Sequence, residues 1–305
     1  MDYLKLGASL YVPAIHNDII NIAKGLKFPN LKSVIFDTED AISEDDLPFA
    51  YHNLNKMLNA LAIESLENDK SQKIINFTKP LIFIRVRNPE EYKKILKFEN
   101  IEQITGFALP KFSVENMSDY LEKIIPNKKY MPILEKDIFN IRVLEKIKDF
   151  LLGYKENIIS LRIGATDLLS AMNLRRNSQN TVYEIGVLNQ VISNIITIFK
   201  PYGFNITGAV WESFCESSKQ KLEEEVRLDL LNGLFGKSVI HPWQVDIVQD
   251  MYKVSAEDYK TALKILDPYS PAVFKMYNRM NEKTTHSNWA RSIIERSNIY
   301  GITQN

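Results

Sequence analysis

The sequence predicts an α/β protein of the (β/α)₈ barrel class with a C-terminal helical extension. Eight short apolar runs, rich in β-branched or aromatic residues, alternate with helix-length segments. Nearly all of these runs are apolar on both faces, as parallel strands between a barrel interior and a helical layer must be. A polar residue at or near most strand ends favours the closed barrel over an open doubly wound sheet.

The predicted elements follow one another in a regular β/α order. The strands are 8–14, 33–40, 81–86, 106–111, 130–135, 158–167, 206–212 and 236–242. The helical patterns are 18–26, 47–66, 113–124, 138–152, 183–200 and 217–232. The polar segment 68–79 predicts a loop. This alternation is typical of parallel strands joined by right-handed crossovers.

The chain changes character after Pro242. A capping pattern at Ser255 predicts a helix start, 267–271 breaks that helix, and a last helical pattern covers 288–300. We therefore expect a catalytic barrel over 1–254. Residues 255–305 are too few and too polar to hold their own core, so we expect them to pack on the barrel or on a neighbouring subunit.

Composition narrows the function classes. Lys+Arg and Asp+Glu are both 38, which argues against nucleic acid or an anionic membrane as partner. Cys215 is the only cysteine, so no intrachain disulfide can form, which fits a reducing compartment. The N-terminus has no signal-peptide pattern, and no apolar run approaches the ~20 residues of a membrane span. We expect a cytoplasmic protein.

Two carboxylates, Glu135 and Asp167, stand at the ends of successive predicted strands. Barrel active sites open at the C-terminal ends of the strands, and carboxylate oxygens are the ligands of Mg²⁺ or Mn²⁺. The alternative is a pair of salt-bridged or solvated acids, but two such positions in succession favour the metal site. Gly164 would let backbone or ligand approach closely beside Asp167.

Three further acids, Asp37, Glu39 and Asp40, follow the second predicted strand. They could orient water around a metal ion or hold basic residues in place. At the end of the third strand, Arg85 could grip a substrate carboxylate or stabilise an oxyanion. The alternative for Arg85 is an ion pair with Asp37 or Glu39, and Arg87 is the competing arginine.

Two more residues, Lys111 and His241, stand at the ends of predicted strands, and the sequence leaves more than one role possible for each. Lys111 allows a Schiff-base mechanism, with a structural ion pair as the alternative. His241 could contact substrate or cofactor, although a lone histidine is more often structural.

In order, these segments resemble the citrate lyase β-subunit-like family, also called the HpcH/HpaI aldolase family. The matching stretches are 9–14, 35–42, 83–88, 106–111, 132–136, 163–172 and 236–244. The resemblance implies a Mg²⁺-dependent barrel lyase that acts beside a 2-oxo acid, often with a CoA thioester. It implies Glu135 and Asp167 as metal ligands and Arg85 as the substrate arginine. It also implies an acidic cluster of Asp37, Glu39 and Asp40 beside the metal, and it does not imply a Schiff base at Lys111.

The sequence departs from this pattern in two places. The Pro-Gly and arginine that serve CoA are replaced by 13–17, and the C-terminal segment with a catalytic aspartate is replaced by 280–290. These departures resemble the divergent branch described as C–C bond lyase of the TIM-barrel fold, and they leave CoA use open. His286 and Trp289 could belong to a lid or to a plain amphipathic helix.

We therefore expect a Mg²⁺-dependent carbon–carbon lyase or aldolase acting on a 2-oxo acid or its adduct through a metal-stabilised enolate, with Mn²⁺ as an alternative metal. Arg85 and the acidic cluster are the expected catalytic groups. The expected substrate contacts are Arg85, Arg87, Gly164, Ala165, Thr166 and His241. The proton-transfer group could be an acid of the cluster, His241, His286 or a metal-bound water.

The alternative functions are a Schiff-base aldolase through Lys111 and an inactive barrel that binds a ligand or partner. Family members tend to form trimers or larger rings, so a homo-oligomer is expected.

Overall fold

The computed structural model describes residues 2–71 and 79–303. Within these residues, eight parallel strands form the central sheet: β1 (Ala8–Pro13), β2 (Ser33–Asp37), β3 (Leu81–Arg85), β4 (Gly106–Leu109), β5 (Lys129–Leu134), β6 (Arg162–Ile163), β7 (Gly208–Trp211) and β8 (Lys237–Val239). Their order is β6-β5-β4-β3-β2-β1-β8-β7. A parallel bridge between Leu161 and Ile206 joins the two ends of the sheet. The predicted (β/α)₈ barrel is therefore confirmed.

Helices fill the intervals between the strands. In the described part of the chain they are α1 (Ile19–Ala23), α2 (Leu47–Ser71), α3 (Pro89–Ile95), α4 (Met117–Leu121), α5 (Ile141–Leu152), α6 (Ala165–Ala171), α7 (Gly186–Phe199), α8 (Lys219–Leu231), α9 (Pro242–Met251), α10 (Ala256–Leu266) and α11 (Lys283–Tyr300). Helix α2 runs into the segment predicted as a loop at 68–79, and 72–78 of that prediction lie outside the described residues. No helix among the described residues is both long and apolar enough to cross a membrane.

The strands separate two apolar layers, because successive side chains of a strand point to opposite faces. Inside the barrel, a small cluster contains Ile35, Phe83, Met131 and Ile133. The larger cluster between sheet and helices takes the alternate positions, such as Phe36. Positions two residues further along the inward rows reach the C-terminal mouth of the barrel. Because these strand-end positions point inward like the rows that precede them, the polar residues at several strand ends meet at the mouth of the barrel.

The sixth strand is much shorter than predicted. Only Arg162 and Ile163 are in β6, and Asp167 lies in the first turn of α6 instead of at a strand end. Gly164 caps the helix, and its amide donates to the Leu134 carbonyl (3.1 Å), so the chain leaves the sheet at once. Helix α6 thus begins at the mouth of the barrel.

The C-terminal extension contains a hairpin that the sequence analysis did not predict. Its strands are β9 (Val273–Met276) and β10 (Arg279–Glu282), joined through Tyr277 and Asn278. Both turn residues have positive φ, as a two-residue turn of type I′ requires. Tyrosine is an unusual residue at that position, which explains why the sequence pattern was missed.

The extension packs against the N-terminal end of its own barrel. Tyr300 at the end of α11 donates its hydroxyl hydrogen to the Leu4 carbonyl (2.7 Å). Its ring contacts Tyr252 and Phe235, whose rings stack 4.3 Å apart. Since Leu4 and Phe235 precede β1 and β8, this contact lies at the opposite end of the barrel from the strand C-termini.

Candidate active site

A cavity of about 560 Å³ opens at the C-terminal ends of the strands. Seven of the predicted site residues line it: Asp37, Asp40, Arg85, Glu135, Gly164, Thr166 and Asp167. They come from β2, β3 and β5 and from the start of α6. This convergence is the geometry that a barrel active site requires.

Arg85 is held by the acidic cluster. Its Nε and Nη2 each donate to a different oxygen of Asp37 at 2.7 Å. Its Nη1 lies 2.8 Å from Glu39 and 3.1 Å from Asp40. Burial by itself lowers the pKa of Arg85, but the hydrogen bonds and charge of Asp37 raise it above its usual value. The ion pair that the sequence left as an alternative is therefore present, and Arg85 still faces the cavity.

Lys111 links the acidic cluster to Glu135. Its Nζ donates to Glu39 at 2.5 Å and lies 3.9 Å from Asp167, while its amide donates to Glu135 at 2.7 Å. Burial favours the neutral amine, but the hydrogen bond and charge of Glu39 outweigh it and raise the pKa of Lys111. A Schiff-base lysine must be neutral to attack. This environment disfavours that role.

Glu135 is buried with only 5% of its surface exposed. Burial first, and then the charges of Asp167 and Glu39, raise its pKa to about 8. Gly164 makes room for this carboxylate, because a Cβ there would lie 2.0 Å from Glu135 Oε2. The sequence predicted close approach at Gly164, and the group that approaches is Glu135.

The donor set suits a hard divalent cation. Glu135 and Asp167 offer carboxylate oxygens, and their mutual repulsion would be relieved by a positive ion. In the described part of the chain, no three His, Cys, Asp or Glu side chains are grouped to hold a metal. Mg²⁺ commonly uses only one or two protein carboxylates and takes its other ligands from water or substrate. The residues present therefore fit Mg²⁺.

Three predicted substrate contacts, Arg87, Ala165 and His241, do not line this cavity. Arg87 faces an adjoining cavity of about 600 Å³ that Glu135 and Asp167 also line. Ala165 is buried within α6, and His241 caps α9, where its Nδ1 accepts from the Trp243 amide at 3.5 Å. Thr166 does line the cavity and donates to Glu212. The structure thus brings together the metal candidates and Arg85, and places His241 in a helix cap.

The two C-terminal candidates lie far from this site in the fold. His286 and Trp289 line a separate cavity beside Leu230 and Leu231, at the end of α8 that leads into β8. That end is the N-terminal side of the barrel. The His286 Nδ1 accepts from the Glu282 amide at 3.1 Å. These residues therefore do not cover the strand C-termini of their own barrel.

Several residues of the cavity were not singled out in the sequence. They are Tyr11, Arg162, Glu212 and Ser238. Glu212 follows β7 directly and could have been found by the same strand-end argument as Glu135. The other three lie within strands, where a polar residue in an apolar run was the only available signal.

The chain matches, over residues 1–302, the family model described as C–C bond lyase of the TIM-barrel fold. The chain belongs to this family. The prediction of a carbon–carbon lyase is thereby confirmed, as is the resemblance to this divergent branch. No curated protein matches the chain.

Solved structures similar to this C–C bond lyase family member include CitE from Mycobacterium tuberculosis in complex with magnesium, acetoacetate and coenzyme A. That chain has 19% identity and a TM-score of 0.66, with 96% of this chain and 98% of the other covered. RipC from Yersinia pestis has 15% identity and a TM-score of 0.59, covering 84% and 98%. The citrate lyase β subunit of M. tuberculosis complexed with oxaloacetate and magnesium has 19% identity and a TM-score of 0.57, covering 82% and 98%. At these identities the similarity establishes the fold.

Proposed function

We propose that this protein is a Mg²⁺-dependent lyase or aldolase that acts on a 2-oxo acid or its adduct. The observation that carries the proposal is the juxtaposition of Glu135 and Asp167 with Arg85 around one cavity. Two carboxylates would bind the metal ion, and the guanidinium would face the substrate. Solved structural neighbours in complex with magnesium and oxaloacetate, or with magnesium and pyruvate, support this choice.

Glu135 and Asp167 are the proposed metal ligands. A bound Mg²⁺, or Mn²⁺ in its place, would supply a Lewis acid and a template for the carboxylate and the 2-oxo oxygen of the substrate. Lys111 holds Glu135 through its amide and lies beside Asp167, so it keeps the two carboxylates oriented. The buried Glu135 must lose its proton to bind a cation, because a protonated carboxyl is a poor ligand.

Arg85 is the proposed group that stabilises negative charge on the substrate as the carbon–carbon bond breaks. A donor that is already oriented costs no reorganisation in the transition state. Asp37 provides that orientation through two hydrogen bonds to Arg85. Asp37 is itself held by the backbone amides of Glu39 (2.9 Å) and Ala41 (3.3 Å).

Asp40 is the proposed proton-transfer group. Its side chain is 56% exposed and lines the cavity, whereas Asp37 is fully engaged with Arg85. His241 and His286 are less suitable, since neither lines this cavity. Glu39 pairs with Arg85 and Lys111 and does not line the cavity, and a metal-bound water is the other candidate from the sequence analysis. A carboxylate that reaches both solvent and substrate is suited to exchange protons.

Two other roles are less well supported. A Schiff base through Lys111 conflicts with the ion pairs that keep its amine protonated. A barrel that only binds a ligand or partner would not need the oriented Arg85 beside the acid pair. Use of CoA, and assembly into a homo-oligomer of three or more subunits, stay predictions from the family resemblance.

Proton NMR of pyruvate and of oxaloacetate in D₂O, with protein and Mg²⁺, tests the proposal. Loss of the pyruvate methyl signal should depend on Mg²⁺, stop in EDTA, and stop in Glu135→Ala. The matched control is Glu115→Ala, since Glu115 is an exposed carboxylate that pairs with Lys136. Exchange that survives EDTA, with borohydride trapping at Lys111, would favour the Schiff base. The absence of exchange with either acid would contradict a simple 2-oxo acid as substrate.

A further inference from the structure

Arg162 is a buried cation in the interior of the barrel. It belongs to β6 and is 1% exposed, yet its side chain forms part of the wall of the active-site cavity. Its Nη2 donates to Ser238 at 2.5 Å, and its Nη1 lies 3.4 Å from Ser9 Oγ and 3.5 Å from Met131 Sδ. Since Ser9 and Ser238 belong to β1 and β8, the guanidinium reaches across the barrel from β6.

No carboxylate neutralises Arg162 among the side chains that the structure describes. Its polar partners are two hydroxyls and a thioether, and its Nε has no hydrogen-bond partner. Two other buried cations have carboxylate partners: Arg176 pairs with Glu225 at 2.8 Å, and Lys237 pairs with Glu225 at 2.6 Å. A third, Lys128, donates to the backbone carbonyls of Glu102 and Ile104 and lies outside the cavity lining. An arginine stays charged even when buried, so a positive charge without a counter-charge is costly. Such a group is suited to receive an anion.

Of the two guanidinium groups that line the cavity, that of Arg162 is the less neutralised. The ring of Tyr11 lies between it and Arg85, with the ring centroid 5.5 Å from Arg162 Cζ and 5.2 Å from Arg85 Cζ. Arg85 is already surrounded by acids, including Asp37. The attraction for an incoming anion is therefore strongest on the Arg162 side of Tyr11.

The strand register places Arg162 relative to the proposed metal ligands. It pairs with Ile133 on β5, and Glu135 lies two residues further along the same inward row. Two residues of strand advance roughly 6–7 Å. A small molecule at the metal ligands could therefore extend one layer deeper and meet Arg162.

We propose that Arg162, with Ser238, forms a subsite for a second carboxylate of the substrate. The substrate class is thus a 2-oxo acid with a second carboxylate a few carbons away, or an adduct that contains this unit. Arg162 would act as a specificity-determining residue that binds the end of the substrate that does not react. That the bound anion is a carboxylate of the substrate rests on the proposed function. The existence of an anion site at Arg162 does not depend on it.

Isothermal titration calorimetry in EDTA tests this subsite without turnover. The probes are succinate, the shorter monocarboxylate propionate, and inorganic phosphate. Wild-type protein should bind succinate at least about ten-fold more tightly than propionate. Arg162→Met should abolish this preference, and Ser238→Ala should weaken succinate binding several-fold. The control is Arg142→Met, which replaces an exposed arginine and should change neither the preference nor the affinity for succinate.

Thermal unfolding of the same variants separates binding from a structural role. Because Arg162 has no counter-charge, Arg162→Met should unfold at the same temperature as the wild type or higher. An Arg162→Met protein that is destabilised and keeps the preference for succinate would overturn the proposal. Equal affinity for succinate and propionate in the wild type, or tighter binding of phosphate than of succinate, would overturn it as well. Succinate binding that depends on Arg162, in a protein inactive toward 2-oxo acids, would keep the subsite and reject the proposed function.

Discussion

Arg85 and Asp37 face each other across β3 and β2 and share two parallel hydrogen bonds of 2.7 Å. The pairing register of the two strands places them at the same height, so the fork of the arginine meets the carboxylate without distortion. Asp37 is 2% exposed and Arg85 faces the cavity. The pair therefore presents a fixed guanidinium to whatever enters the site.

Replacing the guanidinium group of Arg85 should impair catalysis more than folding. We expect Arg85→Lys to lower the rate of pyruvate proton exchange by about 10²-fold, because lysine keeps the charge but cannot make two parallel hydrogen bonds. The melting temperature should change little. Arg87→Lys is the matched comparison, since Arg87 donates to the Ile42 carbonyl and faces the adjoining cavity. If Arg87→Lys stops exchange and Arg85→Lys does not, the two roles are reversed.

Gly164→Ala should weaken metal binding while the barrel stays folded. The added methyl group would lie 2.0 Å from Glu135 Oε2 and 2.4 Å from Glu135 Cβ, so the carboxylate must move and the end of β5 must shift away from the start of α6. The backbone itself tolerates alanine, because φ at Gly164 is −86°. Calorimetric titration with Mn²⁺ should show an affinity loss of about ten-fold or more. Gly186→Ala, where a Cβ meets nothing within 4 Å, is the control and should bind as the wild type does.

The raised pKa of Glu135 predicts a pH-dependent stability in EDTA. Its folded value of about 8 exceeds the reference value of 4.5, so the folded state holds the proton more tightly than the unfolded state does. The stabilisation from this proton is complete below pH 4.5 and is lost as the pH rises through 8. Glu135→Gln, which is always neutral, should therefore unfold at a higher temperature than the wild type above pH 8. Equal melting temperatures of the two proteins across pH 6 to 9 would contradict the shift.

A buried charge network outside the site should dominate stability. Lys237 is fully buried and donates to Glu225 (2.6 Å) and Asp229 (2.9 Å). We expect Lys237→Met to cost about 3–5 kcal/mol in the free energy of unfolding, because it leaves buried carboxylates without their cation. Lys221→Met removes a solvent-screened lysine paired with Glu184 and Glu224, and it should destabilise the protein much less than Lys237→Met does. Urea denaturation measures both, and similar losses for the two variants would refute the distinction.

His286 should be dispensable for catalysis. It lies with Trp289 at the N-terminal end of the barrel, and its Nδ1 accepts from a backbone amide in the extension. We expect His286→Ala to exchange pyruvate protons at the wild-type rate. Loss of exchange in a folded His286→Ala protein would show that the extension contributes to the site, as could happen from a neighbouring subunit.

The barrel and much of its site could be predicted from local pattern. Apolar runs at regular spacing predicted the eight strands, because a strand buried on both faces must be apolar along its length. Strand-end position alone identified Glu135, Asp37 and Arg85, since the C-terminal ends of parallel strands in a barrel meet at one mouth. Asp167 was also found, although it lies in the first turn of α6 and not at a strand end.

Other features required the three-dimensional arrangement. Whether Arg85 pairs with Asp37, or Lys111 with Glu39, depends on strand register and side-chain reach, which residue order does not specify. The raised pKa of Glu135 follows from burial among other acids that come from distant segments.

The chain order by itself determined the fold class, the direction in which the site opens, and which strands end in acids or arginine. Tertiary structure decided that His241 caps a helix, that the extension covers the N-terminal end of the barrel, and that Arg162 reaches across the interior. The physical reason is that periodicity records which face of an element is buried. Distance, burial and the balance of charge arise only when the segments that carry those faces are brought together.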